Sequence, residues 1–195
     1  VGKGISPQSD IAVFNMLGYD FQGKKYAGRG IVEIIGSGVD FRDGDLALRG
    51  NFATLDNSKI IDRRAGRDII KQEAITICSF LEDNIKFDDP DVSVKITPTI
   101  SHRVIIKFRH NKKSLSDKIT NTDPAYGKLN GIGIAKTDVD NMVVQESESE
   151  DNSELSIWSG KIVNEFTRKS ISLMKEHPIS LNRISNNKKP MSVIL

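Results

Sequence analysis

The chain has 195 residues, of which 28% are charged and 37% apolar, and its formal net charge at pH 7 is +2. This balance is typical of one folded domain, or of one domain and part of another, and it is too weakly basic to indicate a nucleic-acid-binding protein. No apolar run approaches the roughly 18 residues of a membrane-spanning helix. The single cysteine, Cys78, cannot form an internal disulfide, so we expect a cytoplasmic protein.

The first forty residues predict two short helices. Residues 9–18 begin with Ser9, a good N-cap, and end at Gly18, which can adopt a left-handed conformation. A serine at a helix N-terminus can face a phosphate, although capping serines are common, so both interpretations of Ser9 stay open. Residues 26–38 place glycines on both sides of an apolar run and predict a turn, a helix and a stop.

The most informative stretch runs from Arg49 to Arg67. Two predicted strands around the turn 56–58 lead into an arginine cluster that contains Gly66 and precedes a helix capped by Asp68. Guanidinium groups match phosphate or carboxylate oxygens two at a time. The cluster therefore predicts an anion-recognition loop for a small phosphorylated acid. The alternative is a surface turn with salt bridges.

The middle of the chain predicts an amphipathic helix from Asp68 to about Ile85, followed by a β-hairpin. The hairpin strands alternate apolar and polar residues over 92–108, which predicts one buried face. A polar loop follows at 115–124 and has the composition of a binding loop.

The last third of the chain predicts one long helix between two irregular segments. Residues 145–154 are serine-rich and acidic and predict a poorly ordered excursion. Residues 155–173 show helical periodicity, and residues 180–190 predict a loop into a terminal strand. Because the chain starts without methionine and ends on an apolar run, we expect a fragment of a longer protein.

Several segments, in order along the chain, carry a resemblance to one known family. They are Ser9-Asp10 followed by LGYD (17–20), YAGRG (26–30), GDLALRGNFATLD (44–56), IIDRRAGR (60–67), SHRVIIKF (101–108), LSDKITNTDP (115–124) and PMSVIL (190–195). Together they resemble the archaeal-type 2,3-bisphosphoglycerate-independent, or cofactor-independent, phosphoglycerate mutases. The NFAT and DRRAGR elements are the most specific.

The resemblance implies a fold and a reaction. The family belongs to the alkaline phosphatase superfamily, with an α/β catalytic domain and an inserted α+β substrate-binding domain that has helices packed on a mixed sheet. Residues 1–40 would then belong to the catalytic domain, residues 41–185 to the insert, and residues 186–195 to a returning strand. The reaction interconverts 3-phosphoglycerate and 2-phosphoglycerate through a phosphoserine, without added 2,3-bisphosphoglycerate.

The resemblance also implies roles for particular residues. Ser9 matches the serine that accepts the phosphoryl group and contacts one of two divalent cations, manganese or magnesium. The residues expected to bind substrate are Asp62, Arg63, Arg64, Arg67, His102, Arg103 and Asp123. No nucleic-acid or membrane partner is expected.

The chain departs from the family pattern in three ways. Gln8 stands where many relatives have glycine, Val13 stands where a histidine can occur, and the remaining metal ligands are expected outside these residues. We therefore expect the chain alone to be inactive. Two alternatives stay open: a non-catalytic module that binds a phosphorylated metabolite, and a related metal-dependent phosphatase or phosphotransferase.

Overall fold

The computed structural model describes residues 9–19, 29–129, 132–136 and 142–195. The helices are α1 (Ser9–Met16), α2 (Arg29–Gly36), α3 (Lys71–Asn84), α4 (Glu154–Lys175) and α5 (Pro178–Ser185), with one 3₁₀ turn at Ala65–Arg67. The strands are β1 (Leu46–Asp56), β2 (Lys59–Asp62), β3 (Val92–Pro98), β4 (Arg103–His110), β5 (Tyr126–Leu129), β6 (Ile132–Ala135) and β7 (Val193–Ile194). Within these ranges, no helix has the length and apolar character needed to cross a bilayer.

A five-stranded sheet organises the described part of the chain. Its order is β2-β1-β4-β3, and β7 also pairs with β1. The pairings are antiparallel, and β1 meets β4 from Leu46 opposite Phe108 to Asn51 opposite Arg103. The predicted fold class, helices packed on a sheet, is confirmed, as are both short helices, the two hairpins and the long helix α4.

The main core lies between one face of this sheet and the helices α3 and α4. Phe108 of β4 packs edge-on against Phe166 of α4, with ring centroids 5.3 Å apart. Ile77 and Leu81 of α3 are fully buried in the same cluster. The helical spacing of these residues puts them on one face, so α3 is held by its apolar stripe.

The opposite face of the sheet is covered as well. Ile34 of α2 packs against Ala47 and Ile105 in a second small core. A side chain on Gly30 would lie 2.2 Å from the carbonyl oxygen of Ala47, so this glycine allows α2 to approach β1 closely. The prediction of a single buried face was therefore wrong for β4, which is buried on both sides.

Two predictions for the last third of the chain were wrong. Residues 180–190 do not form only a loop, because α5 begins at Pro178, a residue favoured in the first helical turn. Nδ1 of His177 accepts a hydrogen bond from the backbone N–H of Ile179 at 3.1 Å and caps this helix. The composition of the segment favours a loop, but these caps and the buried Arg183 outweigh it.

The segment 145–154 has little regular secondary structure, but hydrogen bonds hold it to its neighbours, so the prediction of a poorly ordered excursion was wrong. Ser147 is buried, and the side-chain amide of Asn164 bonds both its N–H and its carbonyl oxygen, at 2.7 and 3.0 Å. Asp151 accepts from the hydroxyls of Ser153 and Ser156 at the start of α4, each at 2.7 Å. These polar residues form hydrogen bonds with other parts of the chain, which the composition of the segment does not reveal.

Candidate anion-binding site

The arginine loop follows β2 and is shaped by Asp62. One carboxylate oxygen of Asp62 accepts from the N–H of Arg64 at 2.7 Å, and the other accepts from the N–H of Gly66 at 3.1 Å. The backbone then takes positive φ angles at Ala65 (41°), Gly66 (77°) and Arg67 (60°). Asp62 is therefore engaged in forming the turn that presents the arginines.

Arg63 points towards the polar loop 115–124. Its Nε and Nη2 donate to the Asp123 carboxylate, with the shortest contact 2.6 Å, and its guanidinium lies 4.7 Å from the ring centre of Tyr126. Burial is the largest single influence on the pKa of Arg63 and lowers it, but the hydrogen bond and charge of Asp123, together with Tyr126, outweigh burial and leave the pKa above its ordinary value. Two residues predicted to bind substrate thus bind each other.

His102 lies at the turn before β4 and is 9% exposed. Burial lowers its pKa to about 4, and the positive charges of Arg103, Arg64, Arg67 and Arg49 contribute further. Its ring is therefore neutral at pH 7. Its Nδ1 is buried and has no hydrogen-bond partner among the described residues. A buried polar atom without a partner is rare in folded proteins.

Three of these arginines, Arg64, Arg67 and Arg103, form no ion pair with any other residue that the structure describes. Arg49 pairs with Glu33 of α2, whose carboxylate lies 3.1 Å from the Nε of Arg49. Like charges gathered around a neutral histidine repel each other, and an anion placed among them would relieve this repulsion. The arrangement is therefore suited to binding an anion with several negative charges.

Asn51 adds a second unpartnered polar atom. It pairs with Arg103 across the β1–β4 ladder, and its Oδ1 is buried without a partner within the described ranges. Asn51 belongs to the NFAT element, but the sequence patterns indicated no role for it. The available signal was strand alternation, which places Asn51 on the same face of β1 as Arg49.

Two concave regions border parts of this group, one at Arg49 and Asn51 and the other at Arg64 and Arg67. A cavity of about 470 Å³ is lined in part by Arg49, Asn51, Asp123 and Tyr126. A more open groove of about 460 Å³ runs along residues 60–67. Ligand pockets for small molecules commonly measure roughly 300–1,000 Å³, so either space can hold a compact phosphorylated acid.

Ser9 is the first residue of α1, and its side chain lies outside the described part of the structure. The prediction that α3 is capped by Asp68 was wrong, because the helix begins at Lys71 and the Glu73 carboxylate accepts from the N–H of Ile70 at 3.1 Å. Asp68 instead pairs with Arg183, a buried arginine to which sequence reasoning gave no role.

One group of potential metal ligands occurs among the described residues: Asp89, Asp91 and His110. Nδ1 of His110 accepts from the N–H groups of Lys112 and Lys113 at 3.0 and 2.8 Å, so the ring proton belongs on Nε2, which faces Asp89 at 3.4 Å. A metal needs the lone pair of an unprotonated nitrogen, and here one nitrogen is engaged and the other is protonated. The group does not fit a divalent cation.

The chain is similar to members of a known family. The family model described as 2,3-bisphosphoglycerate-independent phosphoglycerate mutase matches residues 1–180. A protein of that name from Aeropyrum pernix is 37% identical over 185 residues, which cover 94% of this chain and 43% of the relative. Another from Methanosphaera stadtmanae is 35% identical over all of this chain and 43% of its own length.

A solved structure is similar as well. The cofactor-independent phosphoglycerate mutase from Thermoplasma acidophilum superposes with a TM-score of 0.70 at 25% sequence identity. The match covers 95% of this chain and 45% of that protein. The chain thus spans less than half the length of the relatives it matches.

Proposed function

The chain belongs to the 2,3-bisphosphoglycerate-independent phosphoglycerate mutase family, and on that premise we propose that it supplies the substrate-holding part of an enzyme that interconverts 3-phosphoglycerate and 2-phosphoglycerate. The observation that carries this proposal is the gathering of Arg64, Arg67 and Arg103, without carboxylate partners among the described residues, around the neutral His102. Because the relatives are more than twice as long, the reaction is proposed for the whole protein and substrate holding for this chain.

Charge matching supports this substrate. The carboxylate and phosphate groups of phosphoglycerate together carry roughly two and a half to three negative charges at neutral pH. The arginines without described partners, Arg64, Arg67 and Arg103, carry three positive charges between them. Arg49 adds a fourth that Glu33 partly balances.

The two unpartnered polar atoms match the rest of the molecule. Arginines only donate hydrogen bonds, whereas phosphoglycerate also has a free hydroxyl that needs an acceptor. Oδ1 of Asn51 is such an acceptor and lies on the same strand face as Arg49. Nδ1 of His102 can donate to a carboxylate or phosphate oxygen when it carries the ring proton. Arg63, held by Asp123, would then keep the polar loop 115–124 against the arginine loop.

The chemical step is proposed from the family resemblance. Oγ of Ser9 would accept the phosphoryl group, glycerate would turn within the arginine site, and the phosphoryl group would return to the other hydroxyl. The N-terminus of α1 favours negative charge at this position. Two divalent cations, manganese or magnesium, would activate the serine hydroxyl in the whole enzyme. The triad of Asp89, Asp91 and His110 does not supply the site for these cations.

A mutase assay on the whole protein that contains this chain tests the proposal. We expect 3-phosphoglycerate to be converted to 2-phosphoglycerate without added 2,3-bisphosphoglycerate, and the rate to fall on addition of a chelator. Release of inorganic phosphate without isomerisation would favour a phosphatase. Binding of 3-phosphoglycerate without turnover would favour a binding module. The division into residues 1–40, 41–185 and 186–195 and the cytoplasmic location remain part of this proposal.

A further inference from the structure

The arginine loop follows a backbone path that most side chains disfavour. Ala65, Gly66 and Arg67 take φ angles of 41°, 77° and 60°, and glycine is the only residue that adopts such angles freely. A run of left-handed residues persists only where neighbouring groups hold it in place. The position of Arg67 therefore depends on what fixes the loop on either side of it.

Arg183 of α5 contacts the loop on both sides of Arg67. Its side chain is fully buried, its Nη2 donates to the carbonyl oxygen of Ala65 at 3.2 Å, and the same nitrogen bonds the carboxylate of Asp68. Ala65 opens the left-handed run and Asp68 follows its last residue. One guanidinium thus holds both ends of the strained segment.

The remaining donors of Arg183 bind residues outside the arginine loop. Nη1 donates to the Glu73 carboxylate at 2.9 Å, and Nε donates to the carbonyl oxygen of Lys189 at 2.8 Å. Glu73 also accepts from the N–H of Ile70 at the start of α3, so Arg183 is tied through Glu73 to a helix terminus. Well-packed apolar residues often replace buried ion pairs without loss of stability, so stability alone does not account for this guanidinium.

We propose that Arg183 is a positioning residue for the anion site, and that its guanidinium holds residues 65–68 in the path that presents Arg64 and Arg67 to His102. The inference rests on the proposed function, because presenting these arginines matters only if an anion binds there. Arg183 reaches the loop across 118 residues of sequence, which is why none of the local patterns indicates it.

The pKa of His102 depends in part on the positions of the arginines, because burial is the largest cause of its low value and the charges of Arg64 and Arg67 lower it further. In the wild-type chain its pKa is about 4. Arg183→Lys keeps the charge but loses the planar fork. We expect the loop to relax in this variant, the NMR-measured pKa of His102 to rise towards its ordinary value, and amide exchange at Gly66 to become faster.

The matched control is Arg109→Lys. Arg109 also binds a carboxylate through two donors, with Nη2 2.6 Å and Nε 2.7 Å from the oxygens of Asp45, but it lies at the opposite end of β4 from His102. This variant loses a two-donor contact of the same kind and leaves the arginine loop unchanged. We expect it to leave both the pKa of His102 and the exchange of Gly66 as in the wild type.

A second variant separates loop release from unfolding. Asp68→Asn weakens the hold on the loop while Arg183 stays paired with Glu73, so we expect a smaller rise in the pKa of His102 in a folded chain. A pKa of His102 that is unchanged in folded Arg183→Lys and in Asp68→Asn would overturn the positioning role.

Titration with 3-phosphoglycerate then separates the two proposals. We expect Arg183→Lys to weaken binding by about 10-fold. If the wild-type chain binds no 3-phosphoglycerate while the pKa of His102 still responds to Arg183→Lys, the proposed function fails and the positioning role stands.

Discussion

The guanidinium of Arg63 and the carboxylate of Asp123 form a two-donor ion pair across 60 residues of sequence, with Nη2 2.6 Å from Oδ2. Asp123 is 4% exposed and also accepts from the N–H of Ala125 at 3.0 Å, so its charge is compensated inside the protein. The pair joins the arginine loop to the polar loop 115–124. Both loops were predicted to contribute to one site, and this contact brings them together.

Arg63→Ala should therefore destabilise the fold as well as the site. Removing the guanidinium leaves the Asp123 carboxylate buried without its partner, which we expect to lower the free energy of unfolding by about 2–3 kcal/mol. Substrate use by the whole protein should weaken on the order of 10-fold or more. Urea denaturation and steady-state kinetics measure the two effects.

Asp123→Asn is the control for the charge. It keeps the shape of the side chain and the contact with Ala125, so we expect a smaller loss of stability. A rate and KM unchanged from wild type in Arg63→Ala would limit this arginine to a structural ion pair with Asp123.

His102 should make the stability of the chain depend on pH in a defined window. Its pKa is about 4 in the folded protein and about 6.5 in an unfolded chain, so between these values the unfolded state binds more protons. Stability should therefore fall as the pH drops from about 6.5 to 4. His102→Gln removes this contribution, and urea titrations of both proteins across the window measure the difference.

The same histidine should respond to an anion. A bound phosphate or carboxylate offsets the positive charges around the ring, so we expect inorganic phosphate to raise the NMR-measured pKa of His102. Chloride at equal ionic strength is the control for screening. A pKa that responds equally to both salts would indicate screening alone and no bound anion.

Gly66 should resist substitution for two separate reasons. Its φ of 77° disfavours any side chain, and a Cβ there would lie 2.8 Å from the Asp68 carboxylate. We expect Gly66→Ala to lower the free energy of unfolding by about 1–3 kcal/mol, measured by urea denaturation. Gly38→Ala is the matched control, because Gly38 has a φ of 71° but open space around it. Equal losses in the two variants would show that the contact with Asp68 contributes nothing.

Much of the fold was predictable from local patterns. The turn at 56–58, the alternation along β3 and β4 and the periodicity of α3 and α4 each depend on residues close in sequence, and each gave a correct element. The arginine loop was also found locally, because three arginines and Gly66 fall within a few residues. Local pattern also placed Asn51 on the face of Arg49, although no role was drawn from it.

The parts that were missed depend on distant contacts. Residues 178–185 form a helix that begins at Pro178 with a His177 cap and buries Arg183 against a loop more than a hundred residues away, a contact that composition cannot show. The sequence indicates Asp68 as a helix cap, but in the structure Asp68 pairs with Arg183. The sequence also cannot show which arginines lack a described partner, because this depends on the three-dimensional positions of Glu33 and Asp123.

Ser9 carries the chemical part of the proposal. In the whole protein, Ser9→Ala should abolish mutase activity, because alanine cannot accept a phosphoryl group, and it should leave the fold intact. Ser37→Ala, at the exposed end of α2, is the control and should retain full activity. Mutase assays with circular dichroism check both variants, and activity retained in Ser9→Ala would place the nucleophile elsewhere.

The central claim is that the arginines around His102 bind phosphoglycerate, and calorimetric titration of the chain with 3-phosphoglycerate tests it most directly. We expect saturable binding by the wild type, binding weakened by about 10-fold or more in Arg64→Ala, and wild-type binding in Arg42→Ala, an exposed arginine paired with Asp40. Glycerate without the phosphate should bind more weakly than 3-phosphoglycerate. Equal affinity in the wild type and Arg64→Ala, or no preference for the phosphorylated acid, would contradict the claim.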